Sequence, residues 1–257
     1  MEQPLGFSLR WLSVSCFELR CGSTAIVTDP YITDCAATDL TWEAIERCDM
    51  ILLSHGHSDH ITDIPALTET FRPLILCGDQ TAMPMAKWLN YTPSRIYPMY
   101  PNLELDFGDV KVMGVYGRHQ EQNRGYNDKI ARYKPETPAG LLAMGHAGCF
   151  DYSNYLLTLP NGTRILIWGN DPTPEQAALC RSLQPDVAIL QRSVPIAKIG
   201  TKGEFAAAIG CKVLIPHHHD FRAVDDPAIV ARFGEEFLKR VPDGTFIAPK
   251  HGEWISL

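Results

Sequence analysis

The stretch Ser54-His55-Gly56-His57-Ser58-Asp59-His60 sets three imidazoles and a carboxylate side by side, directly after the apolar run Met50-Ile51-Leu52-Leu53. That run is strand-sized and reads as buried on both faces. Residues two apart in an extended segment point the same way, so His55 and His57 could bind one ion together. Asp59 and His60, across the turn, could then face a second ion. Gly56 and Ser58 are compact spacers that let the backbone bend closely around metals. The same residues as plain loop histidines would have no reason to keep this spacing.

Other candidates stand at the ends of expected strands. His119 follows Val110 to Val115 and offers a third nitrogen for the first ion. His217, His218 and His219 follow Lys212 to Ile215, and because side chains alternate, His218 should point opposite to its neighbours if the chain stays extended. Asp220 could orient one of them through its other ring nitrogen. Trp168-Gly169-Asn170-Asp171 ends a further strand and supplies a carboxylate able to bridge two ions. Asp29, at its own strand end, is a candidate for hydrogen bonding within the site or for ordering the histidine loop. His146 and His251 divide between supporting roles and ordinary surface or core positions.

The elements that must position these residues are legible in outline. Leu9 to Glu18 and Thr24 to Thr28 suggest an opening hairpin that ends at Asp29-Pro30. A short helical turn at 43–47, strands at 50–53 and 74–77, and helices at 64–71 and 80–89 follow, with Asp63 able to cap and Pro65 in the first turn. Strands at 103–107 and 110–115 flank Gly108-Asp109. Residues 120–148 show no periodicity and form an inserted loop longer than an ordinary connection. Beyond it come a hairpin (152–159 and 164–168), helices at 174–183, 202–209 and 227–239, and strands at 186–190, 212–215 and 245–248. The second half repeats the order of the first, which suggests two sheets face to face with helices outside, an α/β domain spanning 1–257.

Composition narrows the function classes. In 257 residues, 45% are hydrophobic and 21% charged, which excludes disordered and fibrous classes. Lys+Arg of 23 against Asp+Glu of 30 gives a net charge of -7, arguing against general binding to nucleic acid or anionic lipid. No apolar run reaches bilayer length, and Met1 to Gly22 lacks the basic start of a signal peptide. The expected location is cytoplasmic. The eight cysteines form no CxxC pair and read as small reduced hydrophobes.

With these residues in view, the sequence resembles the metallo-β-lactamase superfamily, and within it the ascorbate-6-phosphate lactonase-like branch of metal-dependent hydrolases. The resemblance runs through Trp11-Leu12, Thr28-Asp29-Pro30, the 55–60 motif, His119, Gly169 to Asp171, Pro185-Asp186, Ile215 to Asp220 and Gly252-Glu253. It implies a four-layer αβ/βα sandwich with a dinuclear centre at one edge of the sheets. His55, His57 and His119 would bind the first metal, and Asp59, His60 and His218 the second, with an Asp bridging both. One departure stands out: the branch shows Gly-Asp-Thr where this chain has Gly169-Asn170-Asp171. A one-residue bulge would make Asp171 the bridge, whereas Asn170 as ligand would weaken the second metal.

Two divalent ions, Zn2+ by default with Mn2+ or Fe as alternatives, would acidify a bridging water and give a hydroxide nucleophile. Asp59 would receive or relay the proton, and His251 or His219 could serve the leaving group. Between Arg118 and Lys134, five basic residues (Arg118, Arg124, Lys129, Arg132 and Lys134) outnumber Glu121 and Asp128, which suits a small anionic substrate such as a lactone or ester. Two other readings use the same ligands: a phosphodiesterase or nuclease, and a di-iron oxidoreductase. The expected partner is a small molecule, not a membrane or a nucleic acid, and a homo-oligomer is left open.

Overall fold

A computed structural model describes residues 4–119, 139–148, 150–169, 173–192, 199–220 and 227–257. The chain opens with β1 (Phe7–Ser13), β2 (Cys16–Cys21) and β3 (Thr24–Thr28). The 9–18 stretch is therefore not one arm of a hairpin. It folds back on itself, pairing Trp11 with Phe17 around a turn in which Val14 has φ of +35°. β4 (Met50–Leu52), α1 (Ser58–Ile61), α2 (Ile64–Phe71), β5 (Leu74–Gly78), α3 (Asp79–Leu89) and β6 (Ile96–Met99) complete the first half. The second contains β7 (Glu104–Asp106), β8 (Lys111–Tyr116), α4 (Ala139–Ala147), β9 (Ser153–Thr158), β10 (Arg164–Trp168), α5 (Pro174–Ser182) and β11 (Val187–Gln191). It ends with α6 (Ile199–Ile209), β12 (Val213–His217), α7 (Pro227–Leu238), β13 (Thr245–Phe246) and β14 (Trp254–Ser256).

Two sheets result, ordered β14-β1-β2-β3-β4-β5-β6 and β13-β12-β11-β10-β9-β8-β7. Each is antiparallel on one side and parallel on the other: β3 to β6 run parallel in the first, β10 to β13 in the second. Strands buried on both faces must be apolar at every position, and alternation then sorts their side chains into layers. Met50 and Leu52 join Val187 and Ile189 in the interior between the sheets. Ile51 faces outward onto Ile64, Leu67 and Met85 of α2 and α3. Ala188 and Leu190 face the opposite way, onto Phe205, Phe233 and Phe237 of α6 and α7. The architecture is the expected four-layer αβ/βα sandwich.

Among the elements that escaped the sequence reading, three did so for clear physical reasons. β6 carries Pro98, which cannot donate to a ladder and is tolerated because this strand lies at the sheet edge. β14 is short and half-exposed, yet it pairs with β1 and closes the other edge. α4 falls inside the 120–148 segment expected to be irregular; its sequence, Ala-Gly-Leu-Leu-Ala-Met-Gly-His-Ala, has no polar face and so no helical period. Asp63 does not cap α2 with its side chain. Its carboxylate instead accepts from the amides of Ile32 (2.6 Å) and Thr33 (3.0 Å). The seven cysteines among the described residues are buried and free, in keeping with a packing role; Cys149 lies outside them.

Tyr155 of β9 ties the two sheets together, its hydroxyl directed at the carbonyls of Leu53 (2.7 Å) and Leu76 (3.0 Å). Tyr155→Phe is therefore expected to lower the unfolding free energy by about 1–2 kcal/mol. Urea denaturation would show this as a lower midpoint with an unchanged slope.

Candidate metal centre

The chemistry-bearing residues leave the sheets at strand C-termini along one edge. From the first sheet, β3 delivers Asp29 and β4 the 54–60 loop. From the second, β8 delivers His119 and β12 the segment 217–220. In the histidine loop the chain stays extended through His57 and then tightens into α1, so that Asp59 and His60 emerge on a different side from His55 and His57. Two glycines admit the opposing wall. A Cβ on Gly56 would lie 2.3 Å from the carbonyl of Met144, and one on Gly148 would lie 2.9 Å from the ring of His57. The end of α4 thus packs directly on the loop.

Asp29 organises the loop from beneath. It is buried, its backbone held at φ of +37°, and its carboxylate accepts from the Ser54 amide (2.7 Å), the Ser54 hydroxyl (2.6 Å) and His60 Nδ1 (2.9 Å). A carboxylate only accepts, so Nδ1 of His60 carries the proton and Nε2 carries the lone pair. The Ser54 proton is committed to Asp29, so Ser54 Oγ accepts from Nδ1 of His55 at 2.9 Å. His55 is thereby fixed in the same tautomer. A single carboxylate sets both imidazoles with Nε2 as the ligating atom.

Two triads of donor atoms result: His55, His57 and His119, and Asp59, His60 and His218. Within each, the donor atoms lie no more than 4.8 Å apart. The two triads adjoin, with the His55 and His60 rings 4.1 Å apart between centroids. Asp59 Oδ2 lies 3.6 Å from Nε2 of His60 and 3.7 Å from Nε2 of His218. Burial by itself would raise the Asp59 pKa, but these imidazoles hold it well below the usual carboxylate range. Three imidazoles on one side and two with an ionised carboxylate on the other, with the tautomers of His55 and His60 set by Ser54 and Asp29, form a donor set that fits two divalent cations.

The triple histidine does divide, but not by strand alternation, because the chain leaves the extended conformation at His218. His217 ends β12 and is buried between the sheets, where Ser15 Oγ meets its Nδ1 at 3.1 Å and the Trp168 carbonyl its Nε2 at 3.3 Å. His218 adopts φ of +59°, which swings it into the second triad. His219 is buried against Trp11, their rings stacked at 4.4 Å. Asp220 receives the Val14 amide (3.0 Å) and His251 Nε2 (2.9 Å), so it supports backbone and His251 rather than a ligand imidazole. His146 belongs to neither triad and lies beside Phe150. Asn170 and Asp171 lie outside the described residues.

Sequence reasoning missed Ser54 and Tyr152. Ser54 carried a signal, since a hydroxyl adjoining the first histidine is placed to relay the Asp29 contact. Tyr152 gave none; its ring stacks on His55 at 4.8 Å and its hydroxyl donates to the Gly169 carbonyl at 2.6 Å, tying the end of β10 to the centre.

Asp29→Asn keeps the backbone conformation but presents an amide N–H2 where two donors now converge. It should weaken cation binding about 10–100-fold in competition titrations of chelator-stripped protein. Burial lowers the His217 pKa well below its usual value and pushes that of His219 down to about 4. Both rings favour the neutral form in the fold, so their contribution to stability is present above about pH 6.5 and is lost as pH falls. The urea midpoint of metal-free protein should decline from pH 6.5 toward 4, less steeply in His219→Gln.

A model of the beta-lactamase superfamily domain matches residues 24–148. The chain is 27% identical over 258 residues to the UPF0173 metal-dependent hydrolase of Geobacillus sp. (strain WCH70), covering 95% of this chain and 96% of that protein. Among solved structures, it superposes on Igni18, a metallo hydrolase of Ignicoccus hospitalis, with a TM-score of 0.72 at 13% identity over 98% of both chains. It also superposes on YhfI, a metallo-beta-lactamase fold protein of Bacillus subtilis, with a TM-score of 0.64 at 14% identity over 99% of this chain and 100% of that one. Fold, domain match and paired donor triads agree in one likeness: the chain is similar to the metallo-β-lactamase superfamily, over residues 24–148 in sequence and over nearly its whole length in fold.

Proposed function

We propose that the protein is a metal-dependent hydrolase of a small anionic lactone or ester, close in chemistry to the ascorbate-6-phosphate lactonase-like branch. The observation that carries this reading is the pair of adjoining donor triads where the histidine loop meets His119 and His218 of the second sheet, one all imidazole and one containing a carboxylate. Structural zinc sites are normally closed and cysteine-rich, whereas no cysteine belongs to either triad. When bound, two divalent cations, Zn2+ by preference or Mn2+ or Fe, would acidify water and polarise a carbonyl oxygen.

The chain's own residues supply the remainder. His55, His57 and His119 would hold one cation, and Asp59, His60 and His218 the other; Asp171, outside the described residues, is the candidate for a shared carboxylate ligand. Asp59, kept ionised by its imidazole neighbours, would accept a hydrogen bond from the attacking water at a carboxylate oxygen and relay its proton onward. Preference for an anion is supported by Arg118, half-buried beside His119, and by Arg192, whose amide donates to the His217 carbonyl at 2.8 Å. In this reading the protein works in the cytoplasm without a membrane or nucleic-acid partner. No helix among the described residues is long and apolar enough to cross a membrane.

The test is a substrate panel run on protein of known metal content: phosphorylated and carboxylated lactones and esters beside phosphodiesters and single-stranded DNA. Turnover of an anionic lactone or ester, lost on chelation, restored by Zn2+ or Mn2+ and absent in His57→Ala, is the expected result. Activity confined to phosphodiesters, or dependent on iron and oxygen, would replace the reading.

A further inference from the structure

The geometry points to Asp220 and His251 as a positioning pair that sets the backbone turn presenting His218, and so governs the second cation position while leaving the first alone. This rests on the two-cation reading above. His218 reaches its triad only because its backbone is left-handed, a conformation that an L side chain adopts at a cost unless its surroundings impose it. The imposing contact is the β1–β2 turn. The amide of His218 donates to the Val14 carbonyl at 2.8 Å, and Val14 is itself left-handed.

Asp220 holds Val14 in that state. Both of its carboxylate oxygens lie 3.0 Å from the Val14 amide, so amide and carbonyl of one residue link Asp220 to His218 across the turn. The same carbonyl accepts from Trp11 Nε1 at 3.1 Å. Asp220 is fully buried, and an anion there needs several donors. His251 Nε2 donates at 2.9 Å, and Cys35 Sγ lies 3.7 Å away. His251 is fixed in turn: its ring stacks on Trp11 at 4.1 Å, and the Gly252 amide donates to the Trp11 carbonyl at 2.7 Å.

The first triad is braced differently, with Asp29 and Ser54 orienting His55 from beneath the loop. Disturbing Asp220 or His251 should therefore act on one position only. His251 serves as a donor to Asp220, a task that a glutamine N–H2 can also perform. Acid catalysis by its ring could not be replaced in that way.

The experiment titrates chelator-stripped, full-length protein with Co2+, reading the visible d–d absorption and bound metal per chain. The parent, Asp220→Asn, His251→Ala and His251→Gln are compared, with near-UV circular dichroism reporting the fold. The expected result is two equivalents in the parent and a second equivalent weakened about 10-fold or more in Asp220→Asn and His251→Ala. The first should stay within about twofold, and His251→Gln should return toward the parent. Loss of both equivalents together, or of neither, would overturn the assignment. So would a variant set in which His251→Gln behaves like His251→Ala. A parent that binds fewer than two equivalents would instead remove the two-cation reading itself, and the positioning role with it.

Discussion

One buried carboxylate decides which atoms of the histidine loop can ligate. Asp29 takes the amide and hydroxyl of Ser54 and the Nδ1 proton of His60, and through Ser54 it also settles His55. An imidazole without such an acceptor divides itself between two tautomers and several ring orientations. With it, two of the loop's rings are oriented before any ligand arrives. The local cost is a left-handed backbone at Asp29, sustained because its amide also donates to the Leu52 carbonyl at 3.1 Å.

The other half of the centre solves a different problem. His119 and His218 come from the second sheet and must be brought over a loop built on the first. The β1–β2 turn bridges that gap for His218, since Ser15 bonds to the end of β12 at His217 and Val14 to His218 and Asp220 just beyond it. Beneath the loop, between the sheets, lies a cavity of about 20 Å³ lined by Ser15, Thr28, Asp29, Ser54, Asn154 and His217. That is room for a single water among groups able to bond it. The interior thus changes from apolar to polar just below the centre.

How much was legible in the sequence follows from which interactions are local. The 55–60 motif announced itself because its ligands are neighbours in one extended segment and the turn after it. His119 and His218 were reachable because each stands just past an apolar strand, and the family resemblance singled out His218 among three adjacent histidines. Sheet composition was readable wherever strands are buried on both faces, as at Met50 to Leu52. It failed at β6 and β14, whose pairing depends on edges that only the assembled sheet defines. The link from Asp220 to Val14 was out of reach, because 206 residues separate the partners and neither has a pattern that names the other.

Both triads draw donors from each sheet: His55 and His57 are joined by His119, and Asp59 and His60 by His218. A cation held by either set rivets the two layers at the edge where their hydrophobic interior meets solvent. Prising the layers apart then forfeits the binding free energy of the ion as well as the contacts, about 2.7 kcal/mol at a free concentration a hundredfold above Kd. Resistance to heat and to proteases becomes a function of metal supply, and a starved cell would hold a population of this protein that comes apart more readily.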